Sequence, residues 1–269
     1  MQNPRRRSKA LRLADDIIAL RDPFLPLVNI KKLIAERSLW SEEGLPEGVL
    51  QSALEYVTEH VAWLENRQSL AWYEVPPNFP GMIGGVARAV PIETSASQEA
   101  KSRWLKILQL EERLQSQSPA DFESLGKEIL SWYGVLNPIV TRQSNDAGID
   151  FVGEGRLGEL TKTLSSSWTV IDNCRVLFFG QAKKYSSTVV GTADLRELVG
   201  SVSLLQRDSY RDRFGYGELP WSLLQPRVLL FITTSRFSEG AVRVAEEAGI
   251  ILADRDQICK IYDRKLRTS

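Results

Sequence analysis

Histidine occurs once in these 269 residues and cysteine twice. That scarcity leaves a histidine-based triad or a His-rich metal centre almost nothing to work with. His60 lies in the helical run 50–65 and reads as an ordinary helix residue. Cys174 and Cys259 are far apart and lack metal-ligand spacing, which excludes zinc and disulfides and fits two buried thiols in a reducing compartment. Charge of one sign is missing too: 34 Lys and Arg balance 34 Asp and Glu, so no global field draws the chain onto nucleic acid. Local patches would have to serve, at Arg5, Arg6, Arg7 and Lys9 or at Lys260, Arg264, Lys265 and Arg267; each is equally explained as a solvated terminus. There is no apolar run of about 18 residues and no signal-peptide core. The expectation is a soluble, cytoplasmic protein without a membrane partner, whose chemistry falls to carboxylates and lysines.

The chain is long enough for two modest domains. Residues 8–21, 29–40 and 46–65 predict three helices, the last apolar at Leu50, Leu54, Val57, Val61 and Leu64. A strand-like run (69–75) and a Pro/Gly-rich loop ("PPNFPGMIGG") follow, so the N-terminal unit is mainly helical, with a winged-helix-like succession but no basic recognition face. Next comes an amphipathic helix with Trp104, Leu105, Leu108 and Leu114 as its apolar side. Its polar end near residue 117 marks the expected boundary between domains 1–117 and 118–269.

Past that boundary Ser118 caps a helix with Pro119 in its first turn, and Phe122, Leu125, Ile129, Leu130 and Trp132 form its apolar stripe. "NPIV", "GIDFVG", "SWTVID" and "RVLFFGQAKKY" are short β-rich runs bounded by turn residues. Thr192 is expected to cap a helix to about Gln206, residues 227–235 form a strand buried on both faces, Ser238 caps a helix stopping at Gly249, and "IILA" precedes a last helix opening at Asp254. The order αβββαβαβα predicts an α/β fold, a mixed sheet flanked by helices.

One constellation stands out. Side chains alternate along a strand, so Gln181 and Lys183 share a face, and Asp150 closes a turn that could bring it beside them. An anionic oxygen, an amide oxygen and the intervening Ala182 backbone carbonyl suit a hard divalent cation; a lysine beside them suits a phosphate oxygen or an attacking water. Taken singly, each has a structural explanation: Asp150 capping the turn after Gly148, Gln181 satisfying a backbone group, Lys183 and Lys184 forming a solvated strand end.

Four blocks (residues 120–135, 145–152, 177–185 and 229–258) resemble the catalytic domain of Mrr-type restriction endonucleases, a branch of the PD-(D/E)xK nuclease superfamily. The resemblance spans residues 118 to about 262, roughly half the chain. It implies a restriction-endonuclease-like fold and a DNA endonuclease dependent on Mg²⁺, with Mn²⁺ as a substitute, in restriction or phage defence. It further implies Asp150 as metal-binding acid, Gln181 in place of the usual second acid, Lys183 as catalytic lysine, Glu123 as the helix acid, and Asp146 as the acid of a turn in which Asn145 replaces the usual Gly. Gln181 leaves the site one charge short, so Asp146 or Glu123 is wanted as a further ligand; Glu123 is also explained by an ion pair with Lys127 four residues on. Lys184, Tyr185, Arg142 and Lys162 are candidates for backbone contacts to DNA, and residues 155–173 read as an inserted hairpin or loop. Two alternatives stay open: a nuclease effector that an activating partner switches on, and a non-catalytic DNA-binding or scaffolding module. Cleavage of both strands would call for a homodimer.

Overall fold

The computed structural model describes residues 9–37, 46–66, 70–76, 78–79, 81–90, 93–141, 148–156, 174–186, 188–207 and 225–268. Asp146, Arg142, Lys162, the run "SWTVID" and most of the expected insertion at 155–173 lie outside them. The chain divides into two compact units, Met1–Lys106 and Ile107–Ser269. That division falls inside helix α4 (Ser95–Ser116), ten residues before the boundary expected near residue 117.

The first unit runs α1 (Lys9–Ile18), β1 (Val28–Asn29), α2 (Ile30–Arg37), α3 (Glu47–Asn66), β2 (Tyr73–Glu74) and β3 (Met82–Gly85). Leu13, Ala14 and Ile17 of α1 and Ala53, Val57 and Val61 of α3 are buried where those helices pack together. The three strands form an antiparallel sheet in the order β1-β3-β2. Its central strand lies in the stretch expected to be loop. Gly84 and Gly85 carry no apolar alternation to reveal a strand, yet ladder bonds need only backbone groups, and Gly85 N–H also donates to Leu25 O at 2.8 Å.

In α4 the side chains that turn inward are Trp104, Ile107, Leu110 and Leu114, whereas Leu105, expected on the apolar face, is 53% exposed. Positions 104, 107, 110 and 114 keep helical spacing; Leu105 lies about 100° from the nearest of them.

The second unit continues with α5 (Pro119–Trp132), β4 (Leu136–Val140), β5 (Phe151–Arg156), β6 (Arg175–Lys183), α6 (Thr192–Leu204), β7 (Arg227–Thr233), α7 (Glu239–Ala248), β8 (Ile250–Ala253) and α8 (Arg255–Thr268). Among the described residues this is the αβββαβαβα order predicted above. The strands form one sheet, β4-β5-β6-β7-β8, antiparallel through β6 and parallel beyond it. A mixed sheet follows from the connections. The β5–β6 pair is antiparallel, whereas β6 reaches β7 and β7 reaches β8 through helices, which parallel neighbours require.

Ser118 Oγ accepts from the Asp121 N–H at 3.2 Å while Asp121 Oδ2 accepts from the Ser118 N–H at 3.2 Å, a reciprocal capping box. Ser238 caps α7, accepting from Ala241 N–H at 3.1 Å, and Asp254 caps α8 through Gln257 N–H at 2.9 Å. Helix α6 departs from expectation: its cap position is Gly191, and Asp194 accepts the Gly191 N–H at 3.2 Å. Thr192 is already helical. Cys259 is buried as expected, but Cys174 is only half-buried, at the exposed start of β6.

The core on one side of the sheet joins Ile149, Val152, Leu177, Phe179 and Phe231 to Leu195, Leu198 and Val202 of α6 and Ala241 and Ala245 of α7. On the other side Phe151 lodges between α5 and β6. A Cβ on either Gly126 of α5 or Gly180 of β6 would overlap the Phe151 ring, so the ring fits because both positions lack one. That contact seats α5 against the start of β5, beside Asp150.

Candidate active site

Because β5 and β6 are antiparallel, the residue that precedes β5 and the residues that end β6 meet at one edge. Phe151 pairs with Gly180, which puts Asp150 next to Gln181. The Asp150 N–H donates to Gly180 O at 2.8 Å, and its carboxylate accepts the Ala182 N–H at 2.6 Å. Asp150 therefore holds the residues on both sides of Gln181. It is 8% exposed, and Gln181 1%.

Gln181 continues the Leu177–Phe179 side of β6 toward α6. Its Oε1 is buried without a hydrogen-bond partner, an uncommon state for a native amide oxygen and one that a bound cation would relieve. Lys183 follows on the same face, half-buried at the strand end. Two hydroxyls from the end of β7 and the residue after it stitch this segment in place: Thr233 Oγ1 donates to Lys183 O at 2.8 Å, and Thr234 Oγ1 donates to Tyr185 O at 2.9 Å while accepting the Tyr185 N–H at 3.1 Å. The Thr-Thr pair thus fixes where the Lys183 side chain starts.

Lys184 points elsewhere. Its ammonium donates to Gln115 O at 3.0 Å and to Gln117 O, carbonyls at the end of α4 just before α5, where a positive charge is favourable. Glu123 sits one helical turn before Gly126 and is half-buried. Among the described residues no three His, Cys, Asp or Glu side chains converge on a metal-sized space.

Three neighbours on α6 escaped the sequence reading. The Tyr185 hydroxyl donates to Asp194 Oδ1 at 3.3 Å. Burial first, then the Asp194 charge, hold the Tyr185 phenol above its ordinary value, Glu197 adding to the shift and Lys183 opposing it. Glu197 and Ser201 approach Gly148 from the same helix. Asp194 reads in sequence as a first-turn acid favoured by the helix dipole and Glu197 as an ordinary helix acid, so nothing there announced a site.

The basic run near the C-terminus is partly engaged in α8: Arg267 pairs with Asp263 at 2.7 Å, and Lys265 lies over the Tyr262 ring. A cleft of about 530 Å³ beside β4 and β5 lies at the far end of those strands, at the exposed Glu154–Arg175 pair, and contributes nothing to the Asp150 edge.

Residues 114–210 match the Mrr_cat family, described as restriction endonuclease. The match takes in α5 to α6 with Glu123, Asp146, Asp150, Gln181 and Lys183, and the Mrr-type resemblance read from the sequence holds over that stretch. No curated protein matches the chain. Similar solved structures include the MspJI restriction endonuclease in complex with a 27-mer oligonucleotide (TM-score 0.36, 17% identity, 70% of this chain and 37% of that chain). Others are the DNA modification-dependent restriction endonuclease AspBHI (0.38, 15%, 72% and 49%) and restriction endonuclease FokI bound to DNA (0.41, 10%, 96% and 44%). The chain spans less than half the length of each. The second unit has the expected fold class, a restriction-endonuclease-like mixed sheet flanked by helices. Among the described residues no helix is long and apolar enough to cross a membrane.

Proposed function

We propose that this chain is a DNA endonuclease that hydrolyses phosphodiester bonds with a divalent cation, Mg²⁺ or Mn²⁺, in restriction of foreign or modified DNA. The observation that carries the reading is the single edge where Asp150, the unpartnered Gln181 Oε1 and Lys183 meet, inside the stretch that matches a restriction endonuclease family. The donor set fits a hard cation: one carboxylate, one amide oxygen in need of a partner, and the Ala182 carbonyl between Gln181 and Lys183. Such a cation supplies Lewis-acid charge to the scissile phosphate. Lys183 contributes a fixed positive charge beside the phosphate oxygens, positioned by Thr233, and Tyr185 keeps its proton under Asp194. Asp146, Glu123, Lys184, Arg142 and Lys162 remain proposed auxiliaries.

A second reading has its own support. In the first unit α3 has no Lys or Arg in its sequence and exposes Glu55 and Glu59, a poor surface for phosphate and a suitable one for a basic protein surface. A nuclease switched on by a docked partner fits that face better than a stand-alone DNA reader.

The test is plasmid cleavage with and without Mg²⁺, on unmodified and methylated DNA, beside Lys183→Ala. Metal-dependent cutting that falls at least ~10²-fold in the variant supports the first reading. A folded wild-type protein that cuts neither DNA transfers the weight to the partner-activated effector. Equal cutting by Lys183→Ala defeats the site assignment.

A further inference from the structure

Gln181 leaves the place beside Asp150 without a second negative charge, and α6 brings one there. Gly148, two residues before Asp150, has φ 76°, a left-handed conformation that suits glycine. A Cβ placed on it would lie 3.1 Å from Glu197 Oε1, 3.4 Å from Ser201 Oγ and 3.5 Å from Gln181 Nε2. Side chains from α6 and β6 therefore close around one turn, and any side chain at 148 would be pushed into them. Glu197 is exposed, so its carboxylate is open to a solvated ion; Gln181 is 1% exposed with its Oε1 unpartnered. A reachable anionic oxygen thus meets, at one turn, the end of a buried amide whose own oxygen has an unfilled acceptor site.

A second line places Glu197 independently. Along α6, Asp194, Glu197 and Ser201 recur three and four residues apart and so share one face. That face lies over the odd-numbered row of β6: Asp194 receives the Tyr185 hydroxyl, and Glu197 is close enough to Tyr185 to act on its phenol. Glu197 thus stands above the row Gln181, Lys183, Tyr185, on the side from which Gly148 and Asp150 approach.

We propose that Glu197 is the second carboxylate of the cation site, an oxygen ligand delivered by α6 in place of the acid that Gln181 lacks. This rests on the reading of Asp150, Gln181 and Lys183 as a phosphodiesterase centre. Asp150 alone sets one negative charge against a doubly charged ion; Asp150 and Glu197 together set two, and ligand charge is what raises a hard cation's affinity for an oxygen site.

The test is Mn²⁺ binding to the DNA-free protein, followed by water-proton relaxation, for the wild type, Asp150→Asn, Glu197→Gln and the α7 surface control Glu247→Gln. Melting without metal confirms each fold. The expected result is that Glu197→Gln weakens Mn²⁺ binding at least ~10-fold while Glu247→Gln leaves it unchanged. Adding Gln181→Glu to Glu197→Gln is expected to restore binding, because the charge returns to the site from β6. If Glu197→Gln binds as wild type while Asp150→Asn does not, the inference is overturned and the phosphodiesterase reading stands. If wild type binds no better than Asp150→Asn, both fall together.

Discussion

The Asp150 carboxylate accepts the Ala182 N–H at 2.6 Å, tying the acid before β5 to the residue between Gln181 and Lys183. Where a further ladder bond would otherwise finish the strand pair, a charged side chain does so. The arrangement places an anion at the sheet edge and keeps it there, since a charge-assisted bond of this length is stronger than a neutral one.

Replacing that acid is expected to separate chemistry from folding. Asp150→Asn keeps an acceptor oxygen for Ala182 but loses the charge: cleavage falls at least ~10²-fold and the urea midpoint stays near wild type. Asp150→Ala also strands a buried N–H, at a cost of about 1–3 kcal/mol. Alanine would leave the fold untouched if Asp150 stood free at the sheet edge; its burial at 8% exposure makes asparagine the cleaner probe. Wild-type cleavage by Asp150→Asn would remove Asp150 from the site.

Thr233 is fully buried and its hydroxyl serves two neighbours, donating to Lys183 O at 2.8 Å and accepting the Ser235 N–H at 3.1 Å. Thr233→Val keeps the shape and leaves both groups unpaired, so a loss of about 1–3 kcal/mol in urea unfolding is expected. Cleavage should fall as well, through a looser Lys183. Thr233→Ser restores the hydroxyl and should recover both; recovery of stability without cleavage would show that Thr233 does not position the lysine.

The slot for Phe151 makes a sharper packing prediction. Gly180→Ala forces a methyl group into the ring and is expected to destabilise by about 1–3 kcal/mol or more. Combining it with Phe151→Leu should return part of that loss, because the two residues are in contact and their effects do not add. Strict additivity in a double-mutant cycle would mean the ring does not sit where it is drawn.

At the start of α5 the Ser118 hydroxyl and N–H hold the Asp121 carboxyl below its usual value. A lowered carboxyl stabilises the fold above its unfolded value near pH 4 and loses that contribution as pH falls through the folded value. Asp121→Asn should therefore flatten the acid limb of a stability profile measured from pH 6 to 2. An unchanged slope below pH 4 would assign acid sensitivity elsewhere.

Much of the second unit was legible residue by residue. The apolar runs of β6 and β7 exceed what a half-exposed strand needs, and Ser118, Ser238 and Asp254 announce their helices by chemistry local to the chain. Leu105 misled because two apolar stripes compete on α4, and helical spacing alone does not say which one faces the core. The strand β3 was hidden because glycine carries no pattern.

The sequence by itself determined what depends on near neighbours: the helix caps, the strand and helix alternation that calls for a mixed sheet, and the order of Asp150, Gln181 and Lys183, in blocks whose resemblance to a nuclease family implies phosphodiester chemistry. Only tertiary structure decided what depends on residues far apart in the chain. It brought Thr233 to the Lys183 carbonyl, Gly126 and Gly180 against opposite edges of the Phe151 ring, and Glu197 to the turn at Gly148. Period and propensity describe one element at a time, whereas these contacts arise from how α6, β6 and β7 pack, and packing is a property of pairs.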